Sequence, residues 1–75
     1  MRKLERPEYV KIRLIISSRL SESGMSQREL SGKLGMPSSY INKILAGQRT
    51  IEITELVDIL IALNLTLTDL DQLLR

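Results

Sequence analysis

Residues 26–47 read Ser26-Gln27-Arg28-Glu29-Leu30-Ser31-Gly32-Lys33-Leu34-Gly35-Met36-Pro37-Ser38-Ser39-Tyr40-Ile41-Asn42-Lys43-Ile44-Leu45-Ala46-Gly47. Ser26 followed three residues later by Glu29 is a capping-box pattern, in which the hydroxyl accepts from the Glu29 amide and the carboxylate reaches back to the Ser26 amide. Leu30 and Leu34 then give a short helix its apolar face, and Gly35 stands where a left-handed C-cap costs least. Pro37 restarts the chain. Ser38 to Ala46 is predicted as a second helix with Ile41, Ile44 and Leu45 on its buried side, stopped by Gly47. The link Gly35-Met36-Pro37 is too short for antiparallel packing, so the two helices are predicted to cross steeply.

Outward from this unit the chain continues to read as helix. Pro7 and Glu8 suit a first turn, proline because its missing N–H is not needed there and the acid because of the helix dipole. Tyr9, Ile12, Ile16 and Leu20 follow at steps of three and four, and Gly24 closes this first helix. Glu52 to Leu63 is predicted as a fourth helix with Ile53, Leu56, Val57 and Leu60 as its buried row, and Asn64 as its C-cap. Thr66-Leu67-Thr68-Asp69 repeats the capping-box pattern with Asp for Glu and opens a fifth helix through Leu70, Leu73 and Leu74. No window alternates with period two. The expectation is an all-α, compact five-helix domain over residues 1–75, with a helix-turn-helix at helices 2 and 3 and residues 1–6 as a loose N-terminal arm.

Composition narrows the function classes. The 75 residues hold no Cys and no His, which excludes a disulfide framework and a thiolate metal site and removes the commonest general base and metal ligand. With no Trp, no Phe and two Tyr, the core must be aliphatic. Acid pairs such as Glu52 with Glu55 fall on an exposed helix start without a nucleophile or glycine-rich phosphate loop nearby, so no enzyme, metal or cofactor is expected. No apolar run approaches the roughly 18 residues of a membrane helix and no signal peptide is evident, so a cytoplasmic chain with no membrane association is expected. The net charge of +2 conceals a split. Residues 1–50 carry ten Lys and Arg against four Glu, a balance of +6, whereas residues 51–75 carry one Arg against five acids, a balance of −4. A basic half joined to an acidic half fits a polyanion-binding face beside a face of another kind.

If Ile41, Ile44 and Leu45 are buried, the opposite side of that helix is Ser38, Ser39, Asn42, Lys43 and Ala46. Asn pairs with adenine at N6 and N7, Lys with guanine O6 or N7, and Ser with several base edges. A merely solvated helix more often carries Glu–Lys pairs. Here the 22 residues between Glu29 and Glu52 contain no acid.

The run Met25 to Gly35, then Ser39-Tyr40-Ile41-Asn42-Lys43-Ile44 and Gly47, resembles the phage-repressor and Cro (lambda-repressor-like) helix-turn-helix family. The likeness extends through Ile51–Leu56, Ala62-Leu63 and Leu70, roughly residues 10 to 72. It implies a DNA-binding transcriptional regulator, a repressor of prokaryotic or phage type, that lays the helix Ser38–Ala46 in the major groove of double-stranded DNA. Ser38, Ser39, Asn42 and Lys43 are then the base-contacting candidates. Gln27 matches the position from which the family contacts the backbone, and Arg28, Tyr40, Gln48 and Arg49 complete the phosphate-contacting set. Lys33 and Arg13 are weaker candidates. The sequence departs from the family pattern at Pro37, which replaces a Ser or Thr cap, and at Gly32, inside a helix. It also departs at Leu20 and Leu45, where a buried Arg–Glu pair often stands; these two leucines are predicted to touch, unless a one-residue shift brings Arg19 into register.

One such module buries roughly 600–1,000 Å² on DNA, which favours a homodimer on a palindromic site. Leu63, Leu65, Leu67, Leu73 and Leu74 are dimer candidates, with packing against Val10, Leu14 and Ile15 of the first helix as the alternative. A second functional reading is an antitoxin-like or other protein-interaction module on the same fold.

Overall fold

Pro7 is the first residue of helix α1 (Pro7–Ser23) in the computed structural model of the protein, which describes residues 5–75. The expected N-terminal arm therefore falls largely outside the described residues. Four further helices follow: α2 (Gln27–Lys33), α3 (Tyr40–Leu45), α4 (Ile53–Ala62) and α5 (Leu67–Leu74), with no strand among the described residues. Both predicted capping boxes form. Ser26 Oγ accepts from the Glu29 amide at 3.0 Å, and Thr66 Oγ1 accepts from the Asp69 amide at 3.0 Å. Each partner carboxylate accepts the cap residue's own amide in return, at 3.3 and 2.9 Å.

Four helices end in the same way. Gly24, Gly35, Gly47 and Asn64 are left-handed, and the amide of each following residue bonds a carbonyl five positions back, the Schellman arrangement. At Gly47 a side chain would come within ordinary van der Waals reach of α1. A Cβ there would lie 3.7 Å from the Arg13 guanidinium, which packs over the C-terminal end of α3, where a cation is favoured by the helix dipole.

One apolar cluster draws on all five helices: Ile16 and Leu20 from α1, Leu30 from α2, Tyr40, Ile41 and Ile44 from α3, Ile59 and Leu60 from α4, and Leu70 from α5, with Leu63 and Leu65 between the last two. Burying an aliphatic side chain of this size contributes about 1.5–3 kcal/mol, so this row outweighs any single polar contact. Tyr9 ties the start of α1 to the segment before α4 by donating its hydroxyl to the Ile51 carbonyl at 3.2 Å and accepting from the Ile51 amide at 3.3 Å.

Three expectations need correction. First, α3 begins at Tyr40, not Ser38: Tyr40 N donates to the Pro37 carbonyl at 2.9 Å, making Pro37–Tyr40 a turn that leads into the helix. Second, the core side of α4 is Ile59 and Leu60, with Leu56 half-buried on the same side and Leu63 buried just past the helix end, whereas Ile53 is 71% exposed and Val57 is at the surface. Both rows have helical spacing, because α4 is apolar on most of its circumference; periodicity cannot choose between them, and packing does. Third, the C-terminal leucines divide. Leu63 and Leu65 are buried in the core, Leu74 is half-buried, and Leu67 and Leu73 stay exposed. Leu20 is buried and Leu45 half-buried against the same cluster, while Arg19 remains at the surface, 3.6 Å from Glu22.

Candidate nucleic-acid interface

The relation between α2 and α3 depends on a serine. Ser31 is fully buried on α2. Its hydroxyl donates to the Gln27 carbonyl at 3.0 Å and accepts from the Ile41 amide at 3.1 Å. That amide is one of the donors at the start of α3 that no turn of the helix can satisfy. Ser39 at the N-cap position has helical φ and ψ and makes no side-chain cap bond. The cap arrives instead from the neighbouring helix. This contact also explains why α3 starts late, since the Ile41 amide goes to Ser31 and not to a carbonyl one turn back. Sequence reading passed over Ser31; its position on the α2 face that carries Leu30 and Leu34 was the available signal.

With Ile41 and Ile44 fully buried, Ser38, Ser39, Asn42, Lys43 and Ala46 are all exposed. Ser38 and Ser39 lie on the turn before α3, and Asn42 and Lys43 on the helix itself. Gln27 opens α2 and accepts from Asn42 Nδ2 through its Oε1 at 3.2 Å. The structure thus brings together one residue expected to meet a base and one expected to meet the backbone. Arg28 and Gln48 are exposed, and the Gln48 amide closes α3 by bonding the Lys43 carbonyl at 2.9 Å. Lys33 sits apart, in a groove with Leu34, Asp58, Ile61 and Ala62.

Tyr40 and Arg49 are placed differently from the expectation. Tyr40 is 5% exposed, and its hydroxyl is directed at the Glu55 carboxylate, so it is a core residue and not a free phosphate donor. Burial first, and then the Glu55 carboxylate, pushes the Tyr40 phenol up to about 12. The Arg49 guanidinium lies over the Tyr40 ring, 4.8 Å from its centroid, and bonds both Glu55 oxygens at 3.0 and 3.3 Å. The Glu55 carboxylate also accepts the Glu52 amide at 3.0 Å. That backbone bond, followed by the Tyr40 hydroxyl and Arg49, holds it below the usual glutamate range. The acid-free window in sequence is therefore not acid-free in space, because α4 returns Glu55 to the flank of α3.

Among the described residues no group of acids could hold a metal ion, and no helix is long and apolar enough to cross a membrane. A family model described as helix-turn-helix matches residues 15–70, from within α1 to Leu70 of α5. The chain belongs to the Cro/C1-type helix-turn-helix family. No curated protein and no solved structure matches it. This helix-turn-helix protein is a DNA-binding regulator, from a family that is regulatory and not catalytic.

Proposed function

We propose that the protein is a sequence-specific transcriptional repressor that reads the major groove with α3 and the turn before it. Ser38, Ser39, Asn42 and Lys43 meet base edges, and Gln27, Arg28, Gln48 and Arg49 meet phosphates. The observation that carries this reading is the exposed strip itself: Asn42 and Lys43 stand in solvent behind a fully buried Ile41 and Ile44. The Gln27–Asn42 hydrogen bond supports it, because a side chain oriented before binding loses less entropy on meeting a base.

The protein acts as a homodimer on a palindromic site in this reading. Leu14 and Leu73 remain 62% and 58% exposed and border one groove between α1 and α5 with Ile15 and Leu65. The same groove favours a second reading, an antitoxin-like module that binds another protein there. Sedimentation of the purified chain with and without a palindromic duplex separates the two, a dimer on DNA being the result expected of the first.

Selecting bound sequences from a random duplex pool tests sequence specificity. Enrichment of a defined half-site, repeated at a spacing of about one helical turn, is expected. A pool that stays random after several rounds, while the protein still binds it, rejects base reading.

A further inference from the structure

Arg49 belongs to the readout just described, whereas Tyr40 and Glu55, which hold it, do not. Arg49 carries a charge that DNA phosphate would accept. In the free protein one nitrogen of that guanidinium, Nη2, already faces both Glu55 oxygens, at 3.0 and 3.3 Å. The Arg49 side chain remains 35% exposed, and that of Glu55 18%. Tyr40 under the guanidinium fixes its location: one turn before Lys43 on the same helix, at the border of the exposed strip.

We propose that Glu55 sets the strength of DNA binding by competing with phosphate for Arg49. The inference rests on the DNA-reading function proposed above. Glu55 is well held for this role, since the Glu52 amide at 3.0 Å keeps its carboxylate in place whether or not Arg49 stays. In the free protein Arg49 and Glu55 together present no net charge. On DNA the guanidinium turns part of its donor set to a phosphate while the carboxylate stays behind as a repelling charge. Binding is weaker, and less dependent on salt, than the count of basic residues along the strip implies. Glu55 is a positioning residue acting through Arg49 and touches no base.

The test is Glu55→Gln. Glutamine also serves in a capping box, so the bond from the Glu52 amide survives and α4 is retained; a thermal melt checks that the variant is folded. One more neutralised phosphate steepens the log affinity against log salt line by about 0.9. The gain in affinity is therefore expected to be roughly 3.5-fold larger at 50 mM salt than at 200 mM. The gain should be equal on a selected site and on a scrambled duplex, because Glu55 tunes a backbone contact. In an Arg49→Ala background the same substitution should give a much smaller gain.

A folded Glu55→Gln protein that binds no more tightly than wild type, with an unchanged salt slope, overturns the proposal. So does a gain of the same size with Arg49 absent, which would make Glu55 a general repulsive charge. If neither wild type nor Glu55→Gln binds any duplex at 50 mM salt, the DNA-reading function fails and this inference goes with it.

Discussion

Ser31→Ala isolates the contact that holds α2 and α3 in register. The substitution removes one oxygen from a fully buried site and strands the Ile41 amide, whose 3.1 Å bond to Ser31 Oγ leaves it no acceptor on its own helix. An unsatisfied buried donor costs about 1–3 kcal/mol, more than the net worth of the hydrogen bond itself. At about 2 kcal/mol the loss is a large share of the roughly 4–11 kcal/mol expected of 75 residues. The entropy of unfolding of a chain this size makes that a fall in Tm of about 13 °C. Ser26→Ala provides the internal comparison. It removes an N-cap of similar geometry that water can replace, because the Ser26 site is exposed, and should cost about 1 kcal/mol. Thermal and urea unfolding of both variants, followed by circular dichroism, gives the ranking. Ser31→Ala that is no less stable than Ser26→Ala, or within about 0.5 kcal/mol of wild type, refutes the claim that α3 is capped from α2.

Other substitutions and conditions test separate parts of the structure. Asn42→Ala and Lys43→Ala are expected to relax sequence preference in the duplex selection, whereas Arg49→Ala weakens binding to all duplexes alike by removing a cation that meets the backbone; equal losses on all sequences from Asn42→Ala would count against base reading. Gly32→Ala should raise stability by about 1 kcal/mol, because Gly32 lies in a helix with open space where its Cβ would go, and a lower Tm would show that the glycine has a role the structure does not reveal. Gly47→Ala should cost about 1–2 kcal/mol in melting experiments, from the left-handed backbone at φ 74. Stability should also fall at both extremes of pH. Glu55 and Asp69 are held below 4.5 and 3.8, chiefly by the Glu52 and Thr66 amides, so their stabilisation is present above those values and is lost as pH falls through the lower folded ones. Tyr40 is raised from 10.0 to about 12, so its contribution is intact below pH 10 and disappears as pH climbs through 12; a tyrosinate absorbance component near pH 12 that Tyr40→Phe fails to remove would contradict the assignment.

Local rules carried most of the fold. The capping boxes at Ser26 and Thr66, the left-handed ends at Gly24, Gly35 and Asn64, and the α1 stripe from Tyr9 to Leu20 are each written within a few consecutive residues, so spacing alone exposes them. The exposed strip of Ser38, Ser39, Asn42 and Lys43 was legible for the same reason: one short helix with two strong apolar anchors leaves little choice about what faces water.

What stayed hidden involves partners distant in sequence. The amide that Ser31 caps is ten residues away on the next helix. The acid that claims Arg49 and Tyr40 lies on α4, beyond a window that looked free of acids. The choice of Ile59 over Ile53 as a core residue of α4 was made by neighbouring helices, since either face of so apolar a helix could have been buried. Hydrogen bonds between i and i+3 need only a helix to form. A buried hydroxyl, an ion pair across elements or a choice between two apolar faces needs the packed chain, because the energy that decides each one comes from excluding water between segments that have first to meet.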